Sequence, residues 1–123
     1  MRLRDILPAI KGRVLSEKID LDKDVDFGAA ADLMSDVLSF AKANAVLLTG
    51  LTNSQVIRTA EMADVAAVVF VRGKLPPADT LRLAEDRGIP LVVCEYTMFE
   101  ACGRLFEIGL RGSDPLLPNK LGR

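Results

Sequence analysis

The apolar positions of this chain come in two periods. Ala45–Thr49 (AVLLT) is a short, continuously apolar run that stops at Gly50, and Ala66–Val71 (AAVVFV) is a second, β-branched run that stops at Arg72-Gly73. Between them Val56, Ile57, Ala60 and Ala63 recur at helical spacing. Continuous apolar strands joined by a helix predict a parallel β-α-β unit buried on both faces. Thr52 and Asn53 stand where side chains cap a helix start.

The same alternation extends outward. Residues 5–11 predict a short helix or turn ended by Gly12, and Arg13–Ser16 a short strand. Val25–Leu33 (VDFGAAADL) reads as extended, with Gly28 and three alanines forming a flat surface that another element, or another subunit, can approach closely. A helix starts at Ser35-Asp36 and stops near Asn44. After the Lys74–Pro77 turn, a helix beginning at Asp79 or Thr80 runs to Arg87, with Gly88 as its stop. Ile89–Cys94 is a further buried strand. Thr97 caps a last helix in which Phe99, Cys102 and Phe106 share one face, with Met98, Ala101 and Leu105 beside it. Strands near residues 45, 66 and 90 recur every 22–24 residues or so, the spacing of an α/β wind. The predicted fold is therefore α/β: a layered, mostly parallel sheet with helices on both faces, built from repeated βα units. Residues 1–110 form one domain, and 111–123, with two prolines and no period, form a tail or an arm laid on a partner by Leu116, Leu117 and Leu121.

Composition narrows the function classes. The chain has 123 residues, half of them hydrophobic, which suits one domain with its own core. Its formal net charge is −1, so a nucleic-acid face is not expected. No apolar run approaches the 18 or so residues of a membrane span. The N-terminus, broken by Pro8, lacks the form of a secretory signal. Cys94 and Cys102 sit in apolar segments and read as core residues of a cytoplasmic protein.

There is no histidine. That removes Ser-His-Asp and Cys-His nucleophile systems and the commonest general base. Two cysteines cannot complete a four-ligand zinc site. Alternating acids at 20, 22, 24 and 26 suggest a calcium loop, but the sixth and twelfth positions hold Val25 and Ala31, or Phe27 and Leu33, in place of Gly and Glu. Neither GxxxxGK[ST] nor GxGxxG occurs. No catalytic residues, no metal and no cofactor are assigned.

One edge remains as candidate chemistry. In an open parallel sheet, ligands bind beyond the carboxyl ends of the strands. Those ends carry Thr49, Gly50, Thr52 and Asn53, then Arg72, Gly73 and Lys74, then Thr97. Two helix starts with free N–H groups and two cations would suit an anion, such as a nucleotide phosphate. The plainer alternative is that the polar residues cap helices and the cations are solvated.

The blocks DLMSDVLSFAKAN, LLTGLTNSQVIRTAEMADVAAVVFVRGK and LAEDRGIPLVVCEYTMFEACGRLFEIGL, in that order, resemble the DRTGG domain. The resemblance spans roughly residues 3–110. Such domains occur alone, beside CBS domains in some pyrophosphatases, and at the N-terminus of some phosphotransacetylases. They are similar to the N-terminal domain of HPr kinase/phosphorylase, whose kinase activity lies in a separate P-loop domain that has no counterpart in these residues. The resemblance implies a non-catalytic regulatory or protein-interaction module, a homodimer, with a partner protein or redox complex as the larger context. In the CBS-linked cases it places adenine nucleotides on the CBS part. The family pattern has Asp-Arg after the first Thr-Gly, where this chain has Leu51-Thr52, and Thr-Gly-Gly after the next strand, where it has Arg72-Gly73-Lys74.

Overall fold

The computed structural model describes residues 1–113. The elements run α1 (Leu3–Ile10), β1 (Arg13–Val14), β2 (Phe27–Ala30), α2 (Met34–Phe40), β3 (Ala45–Thr49), α3 (Ser54–Ala63), β4 (Ala67–Phe70), α4 (Ala78–Arg87), β5 (Leu91–Val93) and α5 (Met98–Glu107). The five strands form one sheet in the order β1-β5-β4-β3-β2. β2 to β5 are parallel, and β1 joins β5 antiparallel through Arg13↔Val93 and Val14↔Val92. The β-α-β unit predicted from the two apolar runs is β3-α3-β4, with Val46 opposite Ala67 and Thr49 opposite Phe70.

Side-chain alternation divides the core in two. Val46, Leu48, Ala67, Val69, Val92 and Cys94 face one side of the sheet, where Leu3, Ile6 and Ile10 of α1 and Ala101 and Leu105 of α5 cover them. Leu47, Val68, Phe70 and Leu91 face the other side, against Met34 and Val37 of α2, Val56, Ile57 and Ala60 of α3, and Ala84 of α4. Every residue of β3, β4 and β5 is buried. That two-sided burial is why these strands carry continuous apolar runs rather than alternating ones.

The helix ends follow local chemistry. Asn53 caps α3 by accepting from the Gln55 N–H at 3.2 Å, and Thr97 caps α5 by accepting from the Glu100 N–H at 3.4 Å. Gly88 ends α4 at φ +66°, while Asp64 ends α3 in the same left-handed region at φ +55°. α2 differs from expectation. It starts one residue before Ser35, after Leu33, with no side-chain cap, and it stops at Phe40 rather than near Asn44. Lys42–Asn44 instead form a turn into β3, with the Asn44 N–H donating to Asp64 O at 3.0 Å and Asn44 at φ +68°.

A further expectation changes. The extended segment 25–33 contributes only four residues to the sheet as β2, at its edge. The side chain packed on Gly28 is Leu110: a Cβ at residue 28 would lie 3.1 Å from Leu110 Cδ2. The small residues there admit the segment that follows α5. On α5 the stripe that meets the sheet is the one beside the aromatic positions. Ala101 and Leu105 are buried, whereas Phe99 is 89% and Phe106 58% exposed. Helical spacing groups the aromatic positions correctly but carries no information about which stripe meets the sheet. Arg111, Gly112 and Ser113 lie against β2, and the tail-or-arm expectation for 114–123 lies outside the described residues. No helix among the described residues is long and apolar enough to cross a membrane.

Candidate functional site

The carboxyl ends of β2 to β5 bring the predicted residues to one edge. Thr49 closes β3 with its side chain buried, and Gly50, Leu51, Thr52 and Asn53 lead into α3. Arg72, Gly73 and Lys74 follow β4. Glu95, Tyr96 and Thr97 link β5 to α5. The parallel register thus assembles all eight singled-out residues, Thr49, Gly50, Thr52, Asn53, Arg72, Gly73, Lys74 and Thr97, on the same side of the sheet.

What that edge can bind depends on free donors, and the backbone N–H groups of the loops that directly follow β3 and β4 are occupied. The Gly50 N–H donates to Asp32 Oδ1 at 2.7 Å, and the Thr49 hydroxyl donates to the same oxygen at 3.1 Å. The Leu51 N–H donates to Thr49 Oγ1 at 3.1 Å. The Arg72 N–H donates to Tyr96 O and the Gly73 N–H to Cys94 O, both at 2.8 Å, and the Lys74 N–H reaches Val71 O at 3.3 Å. Arg72 at φ +60° and Gly73 at φ +65° make the left-handed turn that reaches the 94–96 loop. A Cβ on Gly73 would run into the Glu95 carboxylate. Loops that cradle phosphates leave successive backbone N–H groups unpaired and aimed at the anion. Here those groups tie the strand ends to one another.

The charges are also mixed. Lys74 Nζ donates to Gly50 O at 3.4 Å, a long contact. Arg72 and Lys74 share the edge with the carboxylates of Asp32 and Glu95. Asp32 already stands where an anion would meet Gly50. Sequence reasoning passed over Asp32, whose only signal is its place two residues after β2, beside the end of β3 in the parallel register. Tyr96 is covered by the Arg104 guanidinium, 4.1 Å from the ring centroid.

Strand order weakens the edge further as a binding crevice. Such crevices open where the order of parallel strands reverses and successive helices diverge to opposite faces. β2, β3, β4 and β5 follow one another without reversal, and all three connecting helices lie on one face.

The thiols complete the inventory of reactive groups. Burial pushes the Cys94 and Cys102 thiols above their ordinary range, which lowers the thiolate fraction available at neutral pH. Among the described residues, no group of three or more Cys, Asp or Glu side chains could hold a metal ion.

The other feature of the surface is apolar. Two shallow cavities flank β2. One is lined by Gly28–Ala30, Cys102, Leu105 and Phe106 under α5, the other by Gly28–Ala31, Val37, Phe40 and Ala41 under α2. Phe40 is 59% exposed at the mouth of the second.

A family model described as the DRTGG domain matches residues 5–108. Among solved structures, the chain is similar to the CBS and DRTGG domains of the regulatory region of a Clostridium perfringens pyrophosphatase, complexed with the activator diadenosine tetraphosphate. The TM-score is 0.64 at 11% sequence identity, covering 98% of this chain and 57% of that one. At that identity the likeness is one of fold. The chain spans little more than half the length of its structural neighbour. No curated protein matches it.

Proposed function

The chain belongs to the DRTGG domain family, and from that premise we propose that it is a non-catalytic regulatory or protein-interaction module that works as a homodimer. The observation that carries this reading is the apolar surface around the β2 edge. Phe106 and Phe40 stand largely exposed on either side of it, and Phe99 and Leu38 extend the same two helices' exposed apolar positions. Exposed aromatic side chains clustered around small-residue backbone are the form of an interaction surface. The loops after β3 and β4 spend the N–H groups of Gly50, Leu51, Arg72, Gly73 and Lys74 internally, so the geometry favours the apolar side over that edge.

Light scattering tests the reading directly. Wild type is expected to be a dimer at micromolar concentration, and Phe106→Asp or Phe40→Asp to weaken that dimer tenfold or more while far-UV circular dichroism is unchanged. A wild-type chain that stays monomeric sinks it.

A second reading draws on the activator in the neighbouring structure. The polyphosphate of an adenine nucleotide would meet Arg72 and Lys74 at the strand-end edge, with the first turns of α3 and α5 beside them. Calorimetry with diadenosine tetraphosphate, ATP, ADP and AMP decides it. Binding by wild type that Arg72→Ala abolishes supports the site; no heat with any of the four removes it.

A further inference from the structure

The cavity on the α2 side of β2 lies beside the last described residue. It measures about 160 Å³ and is lined by Ala29 and Ala31, by Val37 and Phe40 of α2, and by Ala41. Ala29, Ala31 and Ala41 pack on the core of this face, so the lining is continuous with that core. Gly112 and Ser113 complete it. Phe40, 59% exposed, stands at its mouth.

The chain is brought to this cavity by fixed contacts. Leu110, 5% exposed, belongs to the core on the α5 face and packs on Gly28. The Gly28 N–H donates to Arg111 O at 2.9 Å, and there the chain crosses the edge of the sheet. On the far side the Ser113 hydroxyl donates to Phe40 O at 2.8 Å. With Leu110 anchored in the core and Ser113 hooked to α2, the chain leaves the described region on the lining of the α2-side cavity.

The sequence after Ser113 reads Asp114-Pro115-Leu116-Leu117-Pro118. Pro115 and Pro118 fix their own φ and bias the residues before them, Asp114 and Leu117, toward extended backbone. A stretch so restricted loses little freedom on docking. Leu116 follows Ser113 by three residues, a reach of about 10 Å when extended. Neighbouring side chains on extended backbone point to opposite sides, so in either register one leucine of the pair can turn to an apolar surface.

We propose that the α2-side cavity is the seat of this chain's own Pro115–Pro118 segment, which lays a leucine against Val37 and Phe40 in cis. The occupant follows from where the chain is held. A segment tethered by a few residues meets a neighbouring cavity at an effective concentration on the order of millimolar. A free second copy at micromolar concentration does not compete with that for a shallow site. The seat rests on no association between copies. Where copies do meet around β2, the α2 side of their contact is Phe40 with the tail laid on it.

Solution NMR on the full chain tests this. Nuclear Overhauser contacts are expected from a methyl group of Leu116 or Leu117 to the Phe40 ring. They should keep the same intensity per chain on dilution, and should be absent between labelled and unlabelled chains in a mixed sample. In the double variant Leu116→Ser, Leu117→Ser, the Val37 methyl and Ala41 amide resonances should shift. Relaxation of the Phe40 ring protons by a soluble paramagnet should rise about twofold or more, with Phe99 on α5 unchanged. Leu121→Ser should leave all of these as in wild type. Absence of the contacts, with Val37 and Ala41 unmoved in the double variant, overturns the seat. Contacts found only between labelled and unlabelled chains give the tail to a second copy and overturn it as a cis seat. A Leu121→Ser variant that disturbs Phe40 as much as the double variant overturns the assignment to Pro115–Pro118. Contacts within the chain in a wild type that stays monomeric uphold the seat and sink the homodimer reading, so the two fail separately.

Discussion

Gly73 and Gly103 should respond oppositely to the same substitution. Gly73 sits at φ +65° in the turn after β4, where an L-residue costs about 1–2 kcal/mol. The Glu95 carboxylate that a new Cβ would meet is exposed and can swing away, so backbone strain is the lasting part. Gly103 lies inside α5, where an added Cβ would meet nothing within 4 Å, and alanine there removes a helix-interior glycine worth about 0.5–1 kcal/mol. Urea unfolding midpoints should therefore fall for Gly73→Ala and rise for Gly103→Ala. Asp22 makes a different residue-scale prediction. Its carboxyl is held below the usual carboxylate range, first by the hydrogen bond from Arg4 Nε at 2.7 Å and then by the Arg4 and Arg2 charges. A depressed folded-state value means stability that is present above the unfolded-state value and lost as pH falls through the folded one. Asp22→Asn should flatten that part of the acid unfolding curve and leave the neutral-pH slope unchanged. The pair is exposed on both sides, so the effect is small.

At the scale of elements, α5 shows how far periodicity reaches. Its caps were readable: Thr97 accepts from the Glu100 N–H as a capping residue should. Its two apolar stripes were also readable, but not which of them is buried. Leu105 packs into the core with α1, while Phe99 stands in solvent. Leu105→Ala should accordingly cost about 2–5 kcal/mol, and Phe99→Ala should change the unfolding free energy by less than about 0.5 kcal/mol. Equal costs by urea denaturation would mean the faces are assigned the wrong way round. β2 carries a related lesson. Its run of small residues signalled a close approach, yet the partner, Leu110, lies more than eighty residues away along the chain, beyond the reach of any local pattern.

For the whole molecule, a dimer would couple stability to concentration. A chain that associates only when folded melts higher as its concentration rises. The thermal midpoint of wild type should climb over a hundredfold concentration range, and Phe106→Asp should remove that dependence. The strand-end edge was legible as a list of residues because the carboxyl ends of parallel strands collect on one side of any such sheet. How well it suits an anion depends on two things the list does not contain. One is the destination of each N–H, where Asp32 and the 94–96 loop take the donors of Gly50, Arg72 and Gly73. The other is the strand order, which runs from β2 to β5 without the reversal that opens a crevice.

The amino-acid sequence by itself determined the α/β class, the parallel β3-α3-β4 unit, the caps at Asn53, Gly88 and Thr97, and the family. These follow from short-range rules: the period of apolar residues, the chemistry of helix ends and the order of recognisable blocks. Only the tertiary structure decided that β1 joins antiparallel, that Asp32 closes the Gly50 amide, that the phenylalanines of α5 face outward, and that Leu110–Ser113 covers the edge of β2. Each of those depends on which distant segment reaches a surface first, and a linear pattern holds no record of that distance.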